Sequence, residues 1–371
     1  MSSPELTLGF AGDFCLAAAN DQGSEYVSEV CSFTRALTAE TDWSMANLEF
    51  CICPNQDLPA TKMCVPEHLC SELAQSGFST FCLANNHILD GGERGLRHTM
   101  AFLDHCGATA TGAGHDLSEA ATPLLMDLKG RRLAVISATD ATHYAAGRHH
   151  LGVASLNAGH LLSQVRAAAK TADIVIVNIH ADFEFTNLPA PWKVRLSRRL
   201  ANAGASIVVH HHPHTLQGIE YHNGCLIAYS LGNLVFPLSG NSYLSGRPGR
   251  VDEGAFLKVE VTFDMNDNPL FKYAFIPTII DDSSRTRLAV GEERCSTLRA
   301  LNQYSASLAD ARLLRRAHLW RCRQETKWYL AGMYYALAKH GPAGWWDHAI
   351  HPLRTRMARH GLRGLMTAGF C

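Results

Sequence analysis

The chain has 371 residues, a formal net charge of -1, 47% hydrophobic and 18% charged residues. That balance excludes wholesale nucleic-acid binding, and with no apolar run of roughly 18 residues it reads as a globular protein with a sizeable core and no membrane insertion. The N-terminus, MSSPELTLGFAGD, has no basic stretch followed by an apolar segment, so no secretory signal is read and a cytoplasmic location is expected.

In chain order, strand-like runs fall at LTLGF, FSTFCLA, LAVISA, DIVIVNIH and SIVVHH, and helix-like segments at 66–76, 93–106, 159–171 and 191–203. Alternation of this kind predicts an α/β core with largely parallel strands. After Gly218, IEYHNGCLIAYS gives two strands around His-Asn-Gly, a hairpin signal, and FLKVEVTFD and FKYAFIPTII add further strands. From Leu301 to Cys371 eleven Lys or Arg oppose three acidic residues, and four of the six tryptophans lie there: Trp320, Trp328, Trp345 and Trp346. This tail reads as helical, broken at HGPAGWW and HPL. It is expected to be either a cap packed on the core or a basic, aromatic surface for an anionic or peptide partner. In the second case its Arg and Trp side chains face the mouth of the site.

Twelve cysteines are scattered through apolar stretches, with Cys51 and Cys53 the one close pair and no zinc-finger spacing. They are expected to be reduced, small buried hydrophobes.

Polar residues gather where strands end, the place where ligands collect in open α/β sheets. The first strand delivers Asp13, and WSMANLEF delivers Asn47 and Glu49. FSTFCLANNHILDGG delivers Asn85, Asn86, His87 and Asp90. DIVIVNIHADFE delivers His180, Asp182 and Glu184, and SIVVHHHPH delivers His210, His211, His212 and His214. Asp, Glu, Asn and His at five successive strand ends form the ligand set of a divalent-metal site.

The order GD, NLE, ANNHxxD, H-x-x-x-E, HHPH and YSLGN resembles the CapA (poly-γ-glutamate capsule synthesis) family, and TGAGHDLSEA from Thr111 resembles a further family segment. The resemblance covers about residues 6–240. It implies a calcineurin-like metallophosphatase sandwich, two stacked sheets flanked by helices, as a catalytic domain over 1–285, followed by a C-terminal helical extension over 286–371. It also implies a ligand set: Asp13 from the first strand, Glu49 as the bridging carboxylate, the amide of Asn86, and the imidazoles of His180, His212 and His214. His87 then matches the acid beyond the ligands.

Departures from the metallophosphatase pattern bear on the chemistry. Cys15 stands where those enzymes place a histidine, as the CapA family also lacks it. The metal position left with the hard oxygens of Asp13 and Glu49 favours Ca²⁺ or Mn²⁺, with Zn²⁺ and Mg²⁺ the other options. Asp182 and His210 stand where the family usually has glycine, and with Asn233 they are expected to meet substrate. Phosphoester hydrolysis wants two metal ions, whereas moving a proton from a carbon beside a carbonyl needs a base, an acid and charge stabilisation at the oxygen. His87 with Asp90 makes one carboxylate–imidazole dyad; the second is expected from Asp13 or Asp182 with His180, His212 or His214, and Asp13 and His214 are carried as its catalytic candidates. Resemblance to the lasso-peptide epimerase branch implies a metal-dependent isomerase that inverts a Cα, at the C-terminal residue, of a ribosomally made precursor peptide. The alternatives are a metal-dependent amide or γ-glutamyl hydrolase, a phosphoesterase, and a non-catalytic polyglutamate-binding protein. No oligomeric state is read from the sequence.

Overall fold

A computed structural model describes residues 4–54, 63–241, 243–244 and 249–354. In chain order the strands are β1 Leu6–Phe14, β2 Trp43–Leu48, β3 Cys51–Cys53, β4 Cys64–Pro66, β5 Thr80–Cys82, β6 Thr109–Thr111, β7 Ala113–Gly114, β8 Leu124–Leu128 and β9 Arg131–Thr139. They continue as β10 Gly152–Val153, β11 Ile174–His180, β12 Ile207–His211, β13 Ile219–His222, β14 Cys225–Ala228, β15 Asn233–Val235, β16 Glu253–Phe263, β17 Pro269–Ile280 and β18 Thr286–Leu288. The helices are α1 Ala19–Thr38, α2 Gly92–His105, α3 Leu117–Ala121, α4 Ala158–Ala168, α5 Pro191–Asn202, α6 Gly291–Ser307 and α7 Ala311–Arg354.

One sheet runs β18-β17-β16-β1-β2-β5-β6, with β15 also beside β1; the other runs β13-β14-β12-β11-β9-β8. In the first sheet β1, β2, β5 and β6 are parallel while β16, β17 and β18 are antiparallel; in the second β9, β11, β12 and β14 are parallel and the edge strands β8 and β13 antiparallel. Leu8, Phe10 and Met45 of the first sheet share a core with Val135, Ile176 and Val209 of the second, so the sheets stack face to face. α1 and α2 cover the outer face of the first with Val27, Val30, Leu96 and Leu103. α4 and α5 cover the second with Leu161, Val165, Val194 and Leu200. The continuous apolar runs of β1, β11 and β12 follow from this layering, because strands buried on both faces cannot alternate with polar residues. The architecture is the helix-flanked two-sheet sandwich of the calcineurin-like fold, and α6 and α7 follow it. Among the described residues no helix is long and apolar enough to cross a membrane.

The β13–β14 hairpin forms as expected. Asn223 and Gly224 take φ of 48° and 77°, the pair of left-handed residues that a type I′ turn needs. Two expectations are corrected, and one helix is new. The 66–76 segment is not one α-helix but two 3₁₀ turns, Glu67–Leu69 and Leu73–Gln75. Their tight repeat aligns residues three apart and puts Cys70 and Leu73 together in the core beside α1. α1 itself was not read from the sequence. Its buried face, Tyr26, Val27, Val30, Cys31, Thr34 and Thr38, is helical in spacing, but Gly23 at φ 77° interrupts its beginning. Finally, α7 runs through Pro342 and Pro352 to Arg354, since a proline removes one i→i−4 bond yet holds φ near the helical value.

Candidate metal centre

The ends of β1, β2, β11 and β12 bring two carboxylates and three imidazoles to one buried point. Ligand atoms of Asp13, Glu49 and His180 lie within 4.8 Å of one another, and so do those of Glu49, His212 and His214. Glu49 belongs to both triads. Its Oε1 is 3.6 Å from His180 Nε2 and 3.7 Å from His214 Nε2. Asn86 Oδ1 is 2.7 Å from His180 Nε2, which adds an amide oxygen to the same edge.

Backbone features explain why these side chains converge. β1 and β15 are in register at Asp13 and Asn233. That pairing requires the glycines beside them, because a Cβ on Gly12 would sit 2.0 Å from the carbonyl oxygen of Gly232. On the other sheet, His212 and His214 flank Pro213 with φ of 95° and 55°. Left-handed backbone at two non-glycine residues is unfavourable and persists where surrounding contacts impose it, often at functional sites.

Hydrogen bonds hold the cluster from behind. Asn47 Nδ2 donates to Asp13 Oδ1 at 2.8 Å and contacts Glu49 Oε2 at 3.3 Å. Asn85 ties its own amide to the Leu48 carbonyl at 2.7 Å, and its Oδ1 accepts the amides of His87 and Ile88. His211 Nδ1 is 3.5 Å from Asp13 Oδ1, while its Nε2 meets Asn178 Oδ1 at 2.8 Å. Tyr243 donates its hydroxyl to Glu184 Oε2.

The electrostatics are those of a cation cradle. Burial, and then the Asp13 charge, pushes the Glu49 carboxyl well above the usual range. Burial would raise Asp13 too, but hydrogen bonds from His211 and His214 outweigh it and hold it low. Burial lowers His180 strongly and brings His212 to about 4, so both offer lone pairs at neutral pH. His214 is the exception: burial opposes its protonation, but the Asp13 contact more than compensates and raises it. Glu49 Oε1 and His212 Nδ1 are buried with no hydrogen-bond partner among the described residues. Orphaned acceptors are costly in a low dielectric, and a divalent cation satisfies them. The mixed oxygen and imidazole donors therefore fit such an ion. Cys15 does not join them: burial raises its thiol, and Sγ lies 3.6 Å from Met63 Sδ.

The three residues expected to meet substrate each contact other protein groups. On a strand successive side chains alternate, and while Val209 and His211 face the other sheet, His210 faces α5. There its Nε2 meets Ser197 Oγ at 2.7 Å, and its ring stacks on Tyr229. Asp182 Oδ2 accepts the Ala190 amide at the start of α5 at 2.9 Å and lies 3.8 Å from Lys193 Nζ. Asn233 Oδ1 is 2.9 Å from His214 Nδ1 and orients that ring. His87 and Asp90, by contrast, sit at the rim, 3.1 Å apart and 24% and 14% exposed. Asn47, Asn85, His211 and Glu184 carried a signal, their strand-end position, but no pattern that ranked them. Lys193 and Tyr243 carried none.

Lys193 is buried within α5, donates to Gln217 Oε1 at 3.1 Å, and is lowered by burial to about 8, with Asp182 partly offsetting this. Lys193→Met leaves Asp182 without its cation and is expected to cost about 3 kcal/mol in urea unfolding, the lower end for breaking a buried pair. The folded chain releases this proton near pH 8, whereas an unfolded lysine keeps it to about 10.5. Between those values the unfolded state binds more protons, so this group makes stability rise with pH. That slope should be missing in the variant.

The tail packs on the body at its beginning, where Leu308 and Leu314 join the core under α5. His318, Trp320 and Arg321 line a cavity of about 430 Å³ with Asp182, Phe183 and Tyr304. Trp328, Tyr334 and Tyr335 are exposed, and Trp345 and Trp346 lie outside the residues whose side chains are described.

Residues 7–238, more than half of the chain, match the family model described as bacterial capsule synthesis protein PGA_cap. The capsule biosynthesis protein CapA of Bacillus anthracis is 34% identical over 178 residues, covering 46% of this chain and 43% of that protein. The PGA biosynthesis protein CapA of Bacillus subtilis (strain 168) is 31% identical over 218 residues, covering 58% and 54%. The chain thus spans about half the length of these curated relatives. Among solved structures, a hypothetical protein from Thermus thermophilus aligns over 73% of this chain and 98% of its own, with 15% identity and a TM-score of 0.45.

Proposed function

We propose a function from the premise that the chain belongs to the bacterial capsule synthesis protein PGA_cap family: it is a metal-dependent isomerase that inverts a Cα of a peptide substrate by proton transfer. The names of relatives, a PGA biosynthesis protein and a probable polyglutamine synthesis accessory protein, support a peptide-like chain as substrate. Within that class our reading is a precursor peptide, with its C-terminal residue as the target.

The observation that carries this reading is the His87–Asp90 dyad, 3.1 Å apart, at the rim of a centre whose other imidazoles are buried. Asp90 engages Nδ1 and so leaves Nε2 for substrate. That nitrogen takes the Cα proton, and the electron pair left on carbon delocalises into the adjacent carbonyl. A cation held by Asp13, Glu49, His180, His212 and His214 would supply Lewis acidity for that carbonyl oxygen. Asp13 and His214, the candidates for the second pair, are 3.2 Å apart but buried and turned onto the centre, so we place them among the ligands. The returning proton is assigned to Tyr243, whose hydroxyl is held by Glu184 and which lines a cavity of about 610 Å³ with Ala17, Ala18 and Asn241. Each turnover leaves His87 one proton richer and Tyr243 one poorer, and exchange with water restores both. Tyr243→Phe should therefore slow turnover by about 10²-fold, within the range of general acid catalysis, with substrate KM little changed.

A second reading, hydrolysis of a γ-glutamyl or peptide amide, is favoured by the two ligand triads that share Glu49, since a pair of ions suits hydrolysis. Incubating the metal-loaded protein with peptides and with poly-γ-glutamate in D₂O separates the two. An isomerase incorporates deuterium at Cα and changes chirality at constant chain length. Shortened chains would replace the isomerase by the hydrolase, and neither change would overturn both.

A further inference from the structure

The close pair Cys51 and Cys53 meets a third cysteine in space. Cys51 and Cys53 are two residues apart on β3 and so share one face, and Cys64 on β4 is the register partner of Cys51. Their sulfurs lie within 4.8 Å of one another, with Cys51 Sγ and Cys53 Sγ 3.9 Å apart, and all three residues are at most 1% exposed. The first turn of α2 closes over them. A Cβ on Gly91 would sit 2.7 Å from Cys53 Sγ and 2.9 Å from Cys51 Sγ, and one on Gly95 would sit 2.5 Å from Cys51 Sγ. Among the described residues this cluster shares no member with the carboxylate–imidazole centre.

We propose that Cys51, Cys53 and Cys64 form a buried three-thiolate site for a thiophilic cation of the Zn²⁺ class, which clamps β3 and β4 to the N-terminus of α2. Thiolates bound tetrahedrally to zinc at roughly 2.3 Å lie about 3.8 Å apart, close to the Cys51–Cys53 separation and far from the roughly 2.05 Å of a disulfide. The remaining sulfur distances, within 4.8 Å, close to that value with a movement of at most about 1 Å. The positive end of the 14-residue α2 faces the excess negative charge that three thiolates and one dication would create. Thr99, one turn further along α2, places Oγ1 3.8 Å from Cys51 Sγ. Binding releases the thiol protons to solvent, and no oxidant or reductant is involved.

The test uses the full chain, reduced and stripped of metal, titrated with Co²⁺. Thiolate ligation gives a sulfur-to-cobalt charge-transfer band that oxygen and imidazole ligands do not give, so this readout is independent of catalysis and of the other centre. The expected result is one equivalent of that band, displaced by Zn²⁺, present in Glu49→Gln, and lost in Cys64→Ser and Cys53→Ala. The exposed Cys295 is the control, and Cys295→Ser should keep the band. Folded wild-type protein that takes up Co²⁺ without a thiolate band overturns the proposal. So does a band that survives loss of Cys64 or Cys53, or one that disappears with Cys295. Should Cys64→Ser fail to fold, the wild-type titration and Cys53→Ala still decide.

Discussion

His87→Ala lowers turnover by about 10²-fold or more, the scale of general acid–base catalysis, while bound metal and melting temperature stay at wild-type values. The expectation rests on where His87 sits. Its ring is partly exposed and pairs with Asp90, whereas the residues whose atoms converge on the centre are Asp13, Glu49, His180, His212 and His214. Its backbone amide, bonded to Asn85 Oδ1 at 3.0 Å, is kept by alanine, so the loop after β5 should hold its shape. Asp90→Asn should cost less, because it disturbs the orientation of the imidazole without removing it. Turnover measured beside metal content checks this. Loss of the ion in His87→Ala would make His87 a ligand, and near-full activity would remove it from the chemistry.

Glu49→Gln abolishes the stabilisation that a divalent ion gives, without weakening the metal-free fold. Glu49 is the one residue common to both triads, so losing its charge should disable both. In the metal-free protein that same charge is a burden, since burial and the neighbouring Asp13 push the carboxyl well above its usual range. A carboxyl raised in the folded state loses stability as pH climbs past the ordinary glutamate value, because the unfolded chain ionises first. The neutral isostere escapes that loss, so metal-free Glu49→Gln should melt at or above wild type at neutral pH. Adding Mn²⁺ or Ca²⁺ at a thousand times the dissociation constant should stabilise wild type by about 4 kcal/mol and leave the variant unmoved. A variant that still gains this stabilisation would assign the ion to other residues. Calorimetric melting with and without metal reads both halves of the expectation.

Much of the site was legible because its information is local. Parallel strands alternating with helices end on one side of each sheet, so Asp13, Glu49, His180 and His212 could be expected near one another from strand order alone. The His87–Asp90 pair, three residues apart in one loop, and the Asn223–Gly224 turn were readable for the same reason. Sequence by itself also determined the α/β core of largely parallel strands to which β1, β11 and β12 belong.

Only the tertiary structure decided which way neighbouring side chains turn and which distant ones join them. His210 and His211 are adjacent, yet one stacks on Tyr229 under α5 and the other reaches Asp13, because the layer packed on each face of β12 differs. The sequence shows Asp182 beside a strand end, and α5 sets Ala190 and Lys193 against it. Glu184 finds Tyr243, and Cys51 and Cys53 find Cys64, across intervals with no periodicity to announce them. The physical reason is common to all of these. Strand alternation and turn preference are written in a few consecutive residues, but a buried polar group must be satisfied by whatever the fold brings beside it, and that partner is chosen by the stacking of sheets and helices.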